Sequence, residues 1–192
     1  FYMLRAWPGD PFLARPISIA NIEDNRLVFL YQVKGRGTRI FSQLKPGYRL
    51  ELLGRLGQGF EIEEQGIDGD SRLALVAGGI GLAPLVYLAR EIPGPLDFYC
   101  GFREEVYYKE IIEGYVDQVY IATENGNQGH KGFVTDLLKV ENYNKIYGCG
   151  PEAMMKKLVN MAEGQTPVYI SAERTMACGI GACMGCVVKD TS

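Results

Sequence analysis

The chain has little of several residue types on which whole classes of protein depend. Its 192 residues include one His and one Trp, and 20 Lys and Arg residues stand against 23 Asp and Glu residues, which gives a net charge of -3. No run of Lys and Arg provides the basic surface that nucleic acids require, and no apolar run is long enough to span a bilayer. Because the sequence also shows no signal peptide, we expect a cytoplasmic protein that binds neither nucleic acid nor membrane.

Cysteine is also scarce, but three of the five cysteines lie close together. Cys178, Cys183 and Cys186 have the C-x4-C-x2-C spacing of a plant-type iron–sulfur loop. In such loops thiolates bind a [2Fe–2S] cluster, and a fourth Cys comes from further along the chain. The glycines between these cysteines let the backbone wrap closely around inorganic sulfide. No fourth Cys follows Cys186, so we expect the segment that carries the last ligand to be missing.

Other interpretations of the cysteines fit the sequence less well. A structural zinc site needs a second pair of ligands, and the sequence has neither a second Cys pair nor a nearby His. A disulfide framework is disfavoured because the clustered thiols are odd in number and the chain has an intracellular character. Ordinary buried cysteines would not be grouped so tightly among glycines.

Residues 1–70 contain short β-prone runs that are separated by Gly, Pro, Asn and Asp. The runs are Phe1–Arg5, Ile17–Ile22, Arg26–Val33 and Arg49–Leu53. This punctuation predicts a small antiparallel β-barrel. The chain starts abruptly inside the first of these runs, so we expect the start of this domain to be missing.

Two short motifs of the first domain are suited to binding an anion. In Arg15-Pro16-Ile17-Ser18, an Arg beside a Pro-stiffened turn and a nearby hydroxyl suit a phosphate or the polar edge of a ring. An Arg before Pro is nevertheless usually a solvated surface residue. In Gly35-Arg36-Gly37-Thr38, backbone N–H groups open a helix predicted over Thr38–Leu44. The alternative is a plain turn in which Thr38 caps the helix.

After Asp68-Gly69-Asp70 the pattern changes to strands that alternate with helices, which predicts a second domain over residues 71–172. Leu73–Ala77 is a continuous apolar run, typical of a parallel strand covered on both faces. It leads into Gly78-Gly79-Ile80-Gly81-Leu82-Ala83-Pro84 and then into a helix predicted over Leu85–Arg90. Strand, glycine turn and helix form the context of a dinucleotide-phosphate site, although the string departs from the strict G-x-G-x-x-G fingerprint.

The same alternation continues to the end of the second domain. Strands are predicted at Asp97–Cys100, Gln118–Ala122, Lys145–Gly148 and Pro167–Ser171, and helices near Tyr108–Glu113 and at Glu152–Ala162. Ligands of such sheets bind beyond the carboxyl ends of the strands, which is where Gly78, Gly101, Thr123 and Cys149 fall. The pattern therefore predicts an α/β nucleotide-binding domain with a parallel sheet.

Several residues near these strand ends have two interpretations. Cys149 lies at a strand-to-helix turn, where the helix N-terminus would favour a thiolate, or it is simply a small buried hydrophobe. Arg103 would hold a phosphate or ribose and Glu104 or Glu105 would bind the 2′-hydroxyl of NAD, or the three would form a solvated charged loop. His130 is expected to be exposed.

In order, the chain contains Arg-Pro-Ile-Ser, Gly-x-Gly-Thr, Ala-Gly-Gly-Ile-Gly-Leu-Ala-Pro, Cys-Gly-Pro and the cysteine string that follows Glu173. This series resembles the ferredoxin–NADP reductase superfamily, and within it the electron-transfer subunits of class 1B dihydroorotate dehydrogenases. The resemblance covers nearly all of the chain, and the cysteine string is its most specific part. The fold that it implies is an N-terminal antiparallel β-barrel for the flavin, an α/β parallel-sheet nucleotide-binding domain and a C-terminal iron–sulfur loop segment over residues 173–192.

The resemblance also implies where each cofactor binds. FAD would be held by the first domain, at Arg15, Pro16, Ile17, Ser18, Leu30, Tyr31, Gln32, Gly37 and Thr38. NAD would be held by the second domain, at Gly78, Gly79, Gly81, Pro84, Gly150 and Pro151, with Cys149 near the position of hydride transfer. The [2Fe–2S] cluster would take Cys178, Cys183 and Cys186 as ligands.

Finally, the resemblance implies a reaction and a partner. Dihydroorotate would be oxidised on a separate catalytic subunit that carries FMN, in a hetero-oligomer expected to be a heterotetramer, and electrons would pass through the cluster and FAD to NAD+ in pyrimidine biosynthesis. A flavin belongs between the other two because NADH exchanges a hydride, whereas the cluster passes one electron at a time. Two alternatives remain: an NAD(P)H–ferredoxin-type oxidoreductase subunit with another partner, and a non-catalytic zinc or scaffold module.

Overall fold

The computed structural model describes residues 1–62 and 71–188 of the chain. The boundary expected after Asp70, and the turn at Asp68-Gly69-Asp70 that suggested it, lie outside the described residues. The described residues form an antiparallel region before this boundary and a parallel sheet after it.

The first region consists of two small antiparallel sheets, which confirms the predicted antiparallel character. Its elements are β1 (Tyr2–Arg5), β2 (Arg15–Ile17), β3 (Ile19–Glu23), β4 (Arg26–Phe29), α1 (Arg36–Ser42) and β5 (Glu51–Leu53). One sheet has the order β2-β1-β5, and β3 pairs with β4 in the other. A small core of Leu4, Trp7 and Phe41 packs α1 against these strands. Burial of these apolar side chains holds the region together.

The second region is a six-stranded sheet in which every neighbouring pair is parallel. Its elements are β6 (Leu73–Gly78), α2 (Leu82–Glu91), β7 (Leu96–Phe102), α3 (Lys109–Ile112), β8 (Gln118–Thr123), β9 (His130–Lys131), β10 (Lys145–Cys149), α4 (Glu152–Ala162) and β11 (Val168–Ser171). The strand order β11-β10-β6-β7-β8-β9 reverses direction between β6 and β10. Such a reversal opens a crevice at the carboxyl ends of the two strands, where ligands of open α/β sheets bind.

Apolar residues cover both faces of this sheet, as the continuous run in β6 predicts. All six residues of β6 are buried. One face packs on α2 through Leu82, Leu85 and Val86, and the other packs on α4 through Met155 and Leu158. A strand buried on both faces has no polar side to present to water, which explains why its sequence does not alternate.

The opposite, amino end of the sheet is fixed by a buried polar network. Asp97 is 2% exposed and accepts two hydrogen bonds from Arg72, at 2.9 and 2.6 Å. The Tyr143 hydroxyl donates to the same carboxylate at 2.7 Å and lies 2.6 Å from the Tyr99 hydroxyl. Burial raises the pKa of Tyr143 above its usual range, so this hydroxyl stays protonated and keeps its donor role. The network joins the starts of β6 and β7 to the segment before β10.

The structure shifts several predicted element ends. α2 begins at Leu82 rather than Leu85, because Pro84 is tolerated in the first turn of a helix, where its missing N–H has no partner to lose. β4 ends at Phe29 rather than Val33, so the residues after it leave the sheet. α1 begins two residues before Thr38, at Arg36. The helix predicted at Glu152–Ala162 is confirmed at both ends.

Candidate functional site

A cavity of about 950 Å3 lies between the antiparallel region and the parallel sheet. Predicted FAD residues form part of one wall, namely Pro16, Ile17, Ser18, Leu30, Tyr31 and Gln32. The residues that follow the end of β4 therefore face this cavity instead of pairing in a sheet. The opposite wall consists of Ile80, which precedes α2, and of Ala83, Pro84 and Tyr87 in α2. Six predicted FAD residues and one predicted nucleotide residue, Pro84, thus border one space.

Arg15 lies beside this wall, where it is fixed by local contacts. Its Nη1 donates to the carbonyl of Leu13 at 2.5 Å, and its guanidinium lies 5.5 Å from the centre of the Trp7 ring. A Cβ added at Gly37 would lie 2.6 Å from Nε of Arg15. Gly37 therefore provides the space in which the Arg15 side chain lies, and the structure brings these two predicted residues together.

Thr38 uses its hydroxyl within the turn that starts α1. The oxygen accepts the N–H groups of Lys34 and Gly35 at 3.0 and 3.1 Å and donates to the carbonyl of Gly35. These bonds correspond to the capping alternative expected from the sequence. An anion at this turn would meet backbone N–H groups, since the Thr38 oxygen is already occupied.

The two glycine turns predicted for the nucleotide are in direct contact. A Cβ added at Gly81 would lie 2.3 Å from the carbonyl oxygen of Cys149, and one added at Gly150 would lie 2.9 Å from the amide nitrogen of Gly78. The turns meet because β6 and β10 are neighbours, with Ala77 paired to Cys149. A Cβ at Gly78 would also meet Pro151 at 2.6 Å. Gly78 and Gly81 therefore pack against Cys149, Gly150 and Pro151 at the crevice, and Gly79 lies between them in the chain.

Of the two interpretations of Cys149, the structure favours the buried, neutral side chain over the thiolate. Its side chain is fully buried, and burial raises its pKa to about 12, with the Glu173 carboxylate acting in the same direction. A hydrogen bond with Ser171 acts in the opposite direction and does not outweigh burial. The sulfur belongs to the core cluster on the α2 side of the sheet, and α4 starts only at Glu152. Cys149 is a neutral thiol, as the alternative interpretation expected.

Charged residues at the carboxyl edge lie further out. Arg103, Glu104 and Glu105 are exposed after β7. His130 is exposed, as expected, and lies on the short edge strand β9, which the sequence did not predict. Two residues after a glycine-rich loop are too few to give a strand pattern.

The cysteine loop lies against the first region at the far end of the chain. Gly179 and Gly181 have φ of +73° and +78°, which glycine adopts without strain. Gly179 packs so closely on Met3 that an added Cβ would lie 2.8 Å from its Cγ. The N–H of Cys183 donates to the sulfur of Cys178 at 3.5 Å. This bond, with N–H groups of Ile180 and Ala182, lowers the pKa of Cys178 to about 6.

The donor chemistry of this loop fits an iron–sulfur cluster. Backbone N–H groups that point at a sulfur stabilise its thiolate and are the contacts that tune cluster ligands. Cys183 is exposed and Cys186 is partly so, which leaves three sulfurs accessible on one loop. Within residues 1–62 and 71–188, no group of three or more His, Cys, Asp and Glu side chains is arranged to hold a metal ion. The fit thus rests on the sulfur chemistry and conformation of this loop.

Comparison with known proteins agrees with this interpretation. Residues 173–192 match the family described as the iron–sulfur cluster binding domain of dihydroorotate dehydrogenase B. The dihydroorotate dehydrogenase B (NAD(+)) electron transfer subunit of Clostridium acetobutylicum is 48% identical over 98% of this chain and 76% of its own length. The corresponding subunit of Clostridium perfringens is 43% identical over 100% of this chain and 78% of its own length.

The chain belongs to the dihydroorotate dehydrogenase B electron transfer subunit family. It is thus a subunit of an NAD-linked oxidoreductase that acts in pyrimidine biosynthesis. No helix in the described ranges 1–62 and 71–188 is long and apolar enough to cross a membrane.

Solved structures extend the comparison to the fold. An NADH-dependent reduced ferredoxin-NADP oxidoreductase, studied for flavin-based electron bifurcation, superposes with a TM-score of 0.82 at 25% identity. The aligned part covers 97% of this chain and 69% of the chain of that protein. A ferredoxin-NADP+ reductase from Plasmodium falciparum superposes with a TM-score of 0.65 at 14% identity, over 90% of this chain and 81% of its own. The electron transfer subunit therefore has the ferredoxin–NADP reductase type of fold.

Sequence reasoning missed several residues of the cavity. Tyr87 of α2, Ser171 at the end of β11, and Glu173 and Arg174 after it all line the cavity. Only Glu173 had a signal in the sequence, because it immediately precedes the cysteine string. The others come together through the tertiary fold, which places the path from β11 to the cysteines along the cavity.

Proposed function

We propose that this electron transfer subunit binds FAD in the cavity and carries electrons between a dihydroorotate-oxidising partner and NAD+. One observation carries the proposal: a single cavity is bordered by the Pro16–Ser18 wall, by the start of α2 and by the segment Ile170–Met176 that leads to the cysteines. A group in this cavity contacts all three parts of the chain. That is the position required of an intermediate carrier between a nucleotide and a cluster.

For FAD, the first region supplies both the wall and a cation. Pro16, Ile17 and Ser18 with Leu30, Tyr31 and Gln32 would contact the flavin, and Arg15 with Gly37 and Thr38 would hold its pyrophosphate. The cation of Arg15 supports this assignment, because Arg pairs well with phosphate oxygens. We interpret the two antiparallel sheets as parts of a flavin-binding barrel over residues 1–70. When bound, FAD exchanges a hydride with the nucleotide and single electrons with the cluster.

For the nicotinamide nucleotide, we assign the crevice between β6 and β10 in the domain over residues 71–172. Gly78, Gly79 and Gly81 with Pro84, Gly150 and Pro151 would receive it. Gly79 leaves the backbone open to a pyrophosphate, because a Cβ added there would meet nothing within 4 Å. Cys149 borders this crevice through its backbone, and its thiol is neutral and buried. Its role is therefore to shape and pack the position of hydride transfer, without exchanging a proton.

In the segment over residues 173–192, Cys178, Cys183 and Cys186 would bind the [2Fe–2S] cluster, which supplies one-electron transfer when present. The side chains around them are apolar and exposed, with Ile180 at 60%, Met184 at 69% and Val187 at 62%. An exposed apolar group of this kind marks a surface that a partner covers. We assign that partner as the FMN-containing catalytic subunit in a heterotetramer.

A visible spectrum tests the proposal most directly. Protein expressed with iron and purified without air is expected to show flavin and cluster absorption together, and anaerobic NADH is expected to bleach both. Parallel titration with NADPH tests the choice of nucleotide. Colourless protein, or absorption that NADH leaves unchanged, would contradict the proposal.

A second candidate function is an NAD(P)H–ferredoxin-type oxidoreductase subunit with another partner. The TM-score of 0.82 with an NADH-dependent ferredoxin-NADP oxidoreductase favours it. Affinity purification of the intact complex separates the two functions. An FMN-bearing partner that reduces this subunit upon addition of dihydroorotate supports the first, and a ferredoxin that exchanges electrons with it supports the second.

A further inference from the structure

The last turn of α2 is bonded to the antiparallel region by one side chain. Nη1 of Arg90 donates to Oδ1 of Asn21 at 2.9 Å and also to the carbonyl of Ile22. Asn21 lies in β3 and is only 6% exposed. The guanidinium of Arg90, in the second region, thus donates hydrogen bonds to two acceptors of β3, in the first region. We name this pair of bonds the Arg90 clasp.

Both sides of the clasp are next to the cavity. Tyr87, which lines the cavity, precedes Arg90 by three residues and so lies one helical turn away. Ile19, which lines the opposite wall, precedes Asn21 by two residues on the same strand. A change in the separation of α2 and β3 at the clasp would therefore change the width of the cavity.

The geometry of Asn21 is itself fixed. Its Oδ1 also accepts the N–H of Ile22 at 2.9 Å, and its Nδ2 donates to Oε1 of Glu23 at 3.2 Å. The register of β3 and β4 shifts between Ile19 and Asn21, which marks this point of β3 as irregular. Oδ1 of Asn21, which accepts from Arg90, is therefore held in one orientation by bonds within β3.

Apolar contacts also cross between the two regions, but they are less directional. Phe60, for example, lies against Tyr147 with ring centres 5.1 Å apart. Hydrophobic contact depends on buried area and tolerates small displacements, whereas a hydrogen bond to a charged donor weakens steeply with misalignment. The clasp is suited to fix a separation that apolar packing leaves adjustable.

We propose that Arg90 is a positioning residue, which holds the two walls of the cavity at the separation that FAD requires. The proposal rests on the proposed function, in which FAD occupies this cavity. Without the clasp, a smaller fraction of molecules has the walls correctly spaced, and the apparent affinity for FAD falls by that fraction. For the loss of this charge-assisted pair of bonds we expect FAD to bind about tenfold more weakly.

The test compares Arg90→Ala with Arg90→Lys in the full chain. The side chain of Arg90 is 42% exposed, so its removal leaves no cavity in the core and the variant is expected to fold. A Lys ammonium has three donors and can serve both acceptors, so Arg90→Lys is expected to bind FAD within about twofold of the original chain. Lys109→Ala is the matched control, because it removes an exposed ion pair with Glu113 inside one region.

Three readouts are expected to change together in Arg90→Ala. FAD affinity falls, the long-wavelength charge-transfer absorption of stacked NADH and flavin weakens, and amide hydrogen exchange of Ile19–Glu23 accelerates in cofactor-free protein. Unchanged affinity and absorption in Arg90→Ala would overturn the proposal, and so would equal losses in Arg90→Lys. If the original chain bound no FAD, the proposed function would fail, whereas the clasp would still be judged by hydrogen exchange. Exchange of Ile19–Glu23 that Arg90→Ala leaves unchanged would then refute the clasp as well.

Discussion

The crevice between β6 and β10 and the cysteine loop are both rich in glycine, but Gly81 of the crevice and Gly181 of the loop are required for different reasons. At the crevice Gly81 has ordinary helical φ of -60°, and an added Cβ would lie 2.3 Å from the Cys149 carbonyl. In the loop Gly181 has φ of +78°, and nothing lies within 4 Å of an added Cβ. The first glycine is required for space, and the second for backbone conformation.

The cysteines of the two regions also differ, because their pKa values are shifted in opposite directions. Burial raises the pKa of Cys149 to about 12, whereas backbone N–H groups lower the pKa of Cys178 to about 6. At the crevice the thiol is thus enclosed by the core. The loop presents three accessible sulfurs, which is the arrangement of a site that an inorganic group completes.

Cys183→Ala has the largest expected effect, and it tests whether the crevice and the cysteine loop are separate sites. Loss of one thiolate ligand is expected to abolish cluster absorption completely, while NADH still bleaches the flavin because the crevice is untouched. Visible spectra of anaerobically purified protein measure both. Cys100→Ala is the control, since Cys100 is buried in the sheet and is expected to leave the cluster in place. Loss of both chromophores in Cys183→Ala would show that the two regions are not separate sites. Loss of neither would show that Cys183 is not a cluster ligand.

Alanine at the two glycines sharpens the comparison. Gly81→Ala forces a Cβ into backbone and is expected to lower the free energy of unfolding by roughly 3 kcal/mol. Gly181→Ala meets no neighbour and is expected to cost about 1 kcal/mol, for positive φ alone. Urea unfolding of cofactor-free protein measures both values. Equal costs would mean that the crevice relaxes as readily as the loop.

Arg15→Ala tests whether the Arg15 side chain, which packs against Gly37, contributes to FAD binding. Gly37 leaves room for this side chain, and its cation is the proposed partner of the pyrophosphate. We expect FAD to bind about tenfold more weakly, as for the loss of a hydrogen bond to a charged group. Flavin content after gel filtration reports this change, with Arg39→Ala, an exposed residue of α1, as the control. Undiminished flavin would refute the role of Arg15.

The smallest expected effect concerns pH. Because the pKa of Cys149 is raised when folded, its neutral thiol contributes stability that is present below the unfolded pKa near 9 and lost as pH rises toward 12. Between pH 9 and 10 we expect the original chain to lose about 1 kcal/mol more than Cys149→Ala does. Urea unfolding at both pH values measures the difference. Parallel losses would indicate that the thiol ionises in the folded protein.

Patterns that depend on neighbouring residues could be predicted from the sequence, and those that depend on the tertiary fold could not. The helix at Glu152–Ala162, the glycine turn after β6 and the cysteine spacing are local, and the structure has each where the sequence indicates. The sequence left two interpretations of Cys149 open, because position at a strand end does not say whether a side chain faces the core. Tyr87 joins the cavity through the orientation of α2, which residue spacing alone does not reveal.

The Asp97 network at the amino end of the sheet has a consequence for how such proteins diversify. It ties together the starts of the strands by hydrogen bonds among Arg72, Asp97 and Tyr143, all remote from the carboxyl-end loops. We therefore expect the anchored ends of the strands to tolerate exchange of the loops at the other end. A chimera that keeps these three residues and carries the loops of a related reductase is expected to retain the sheet.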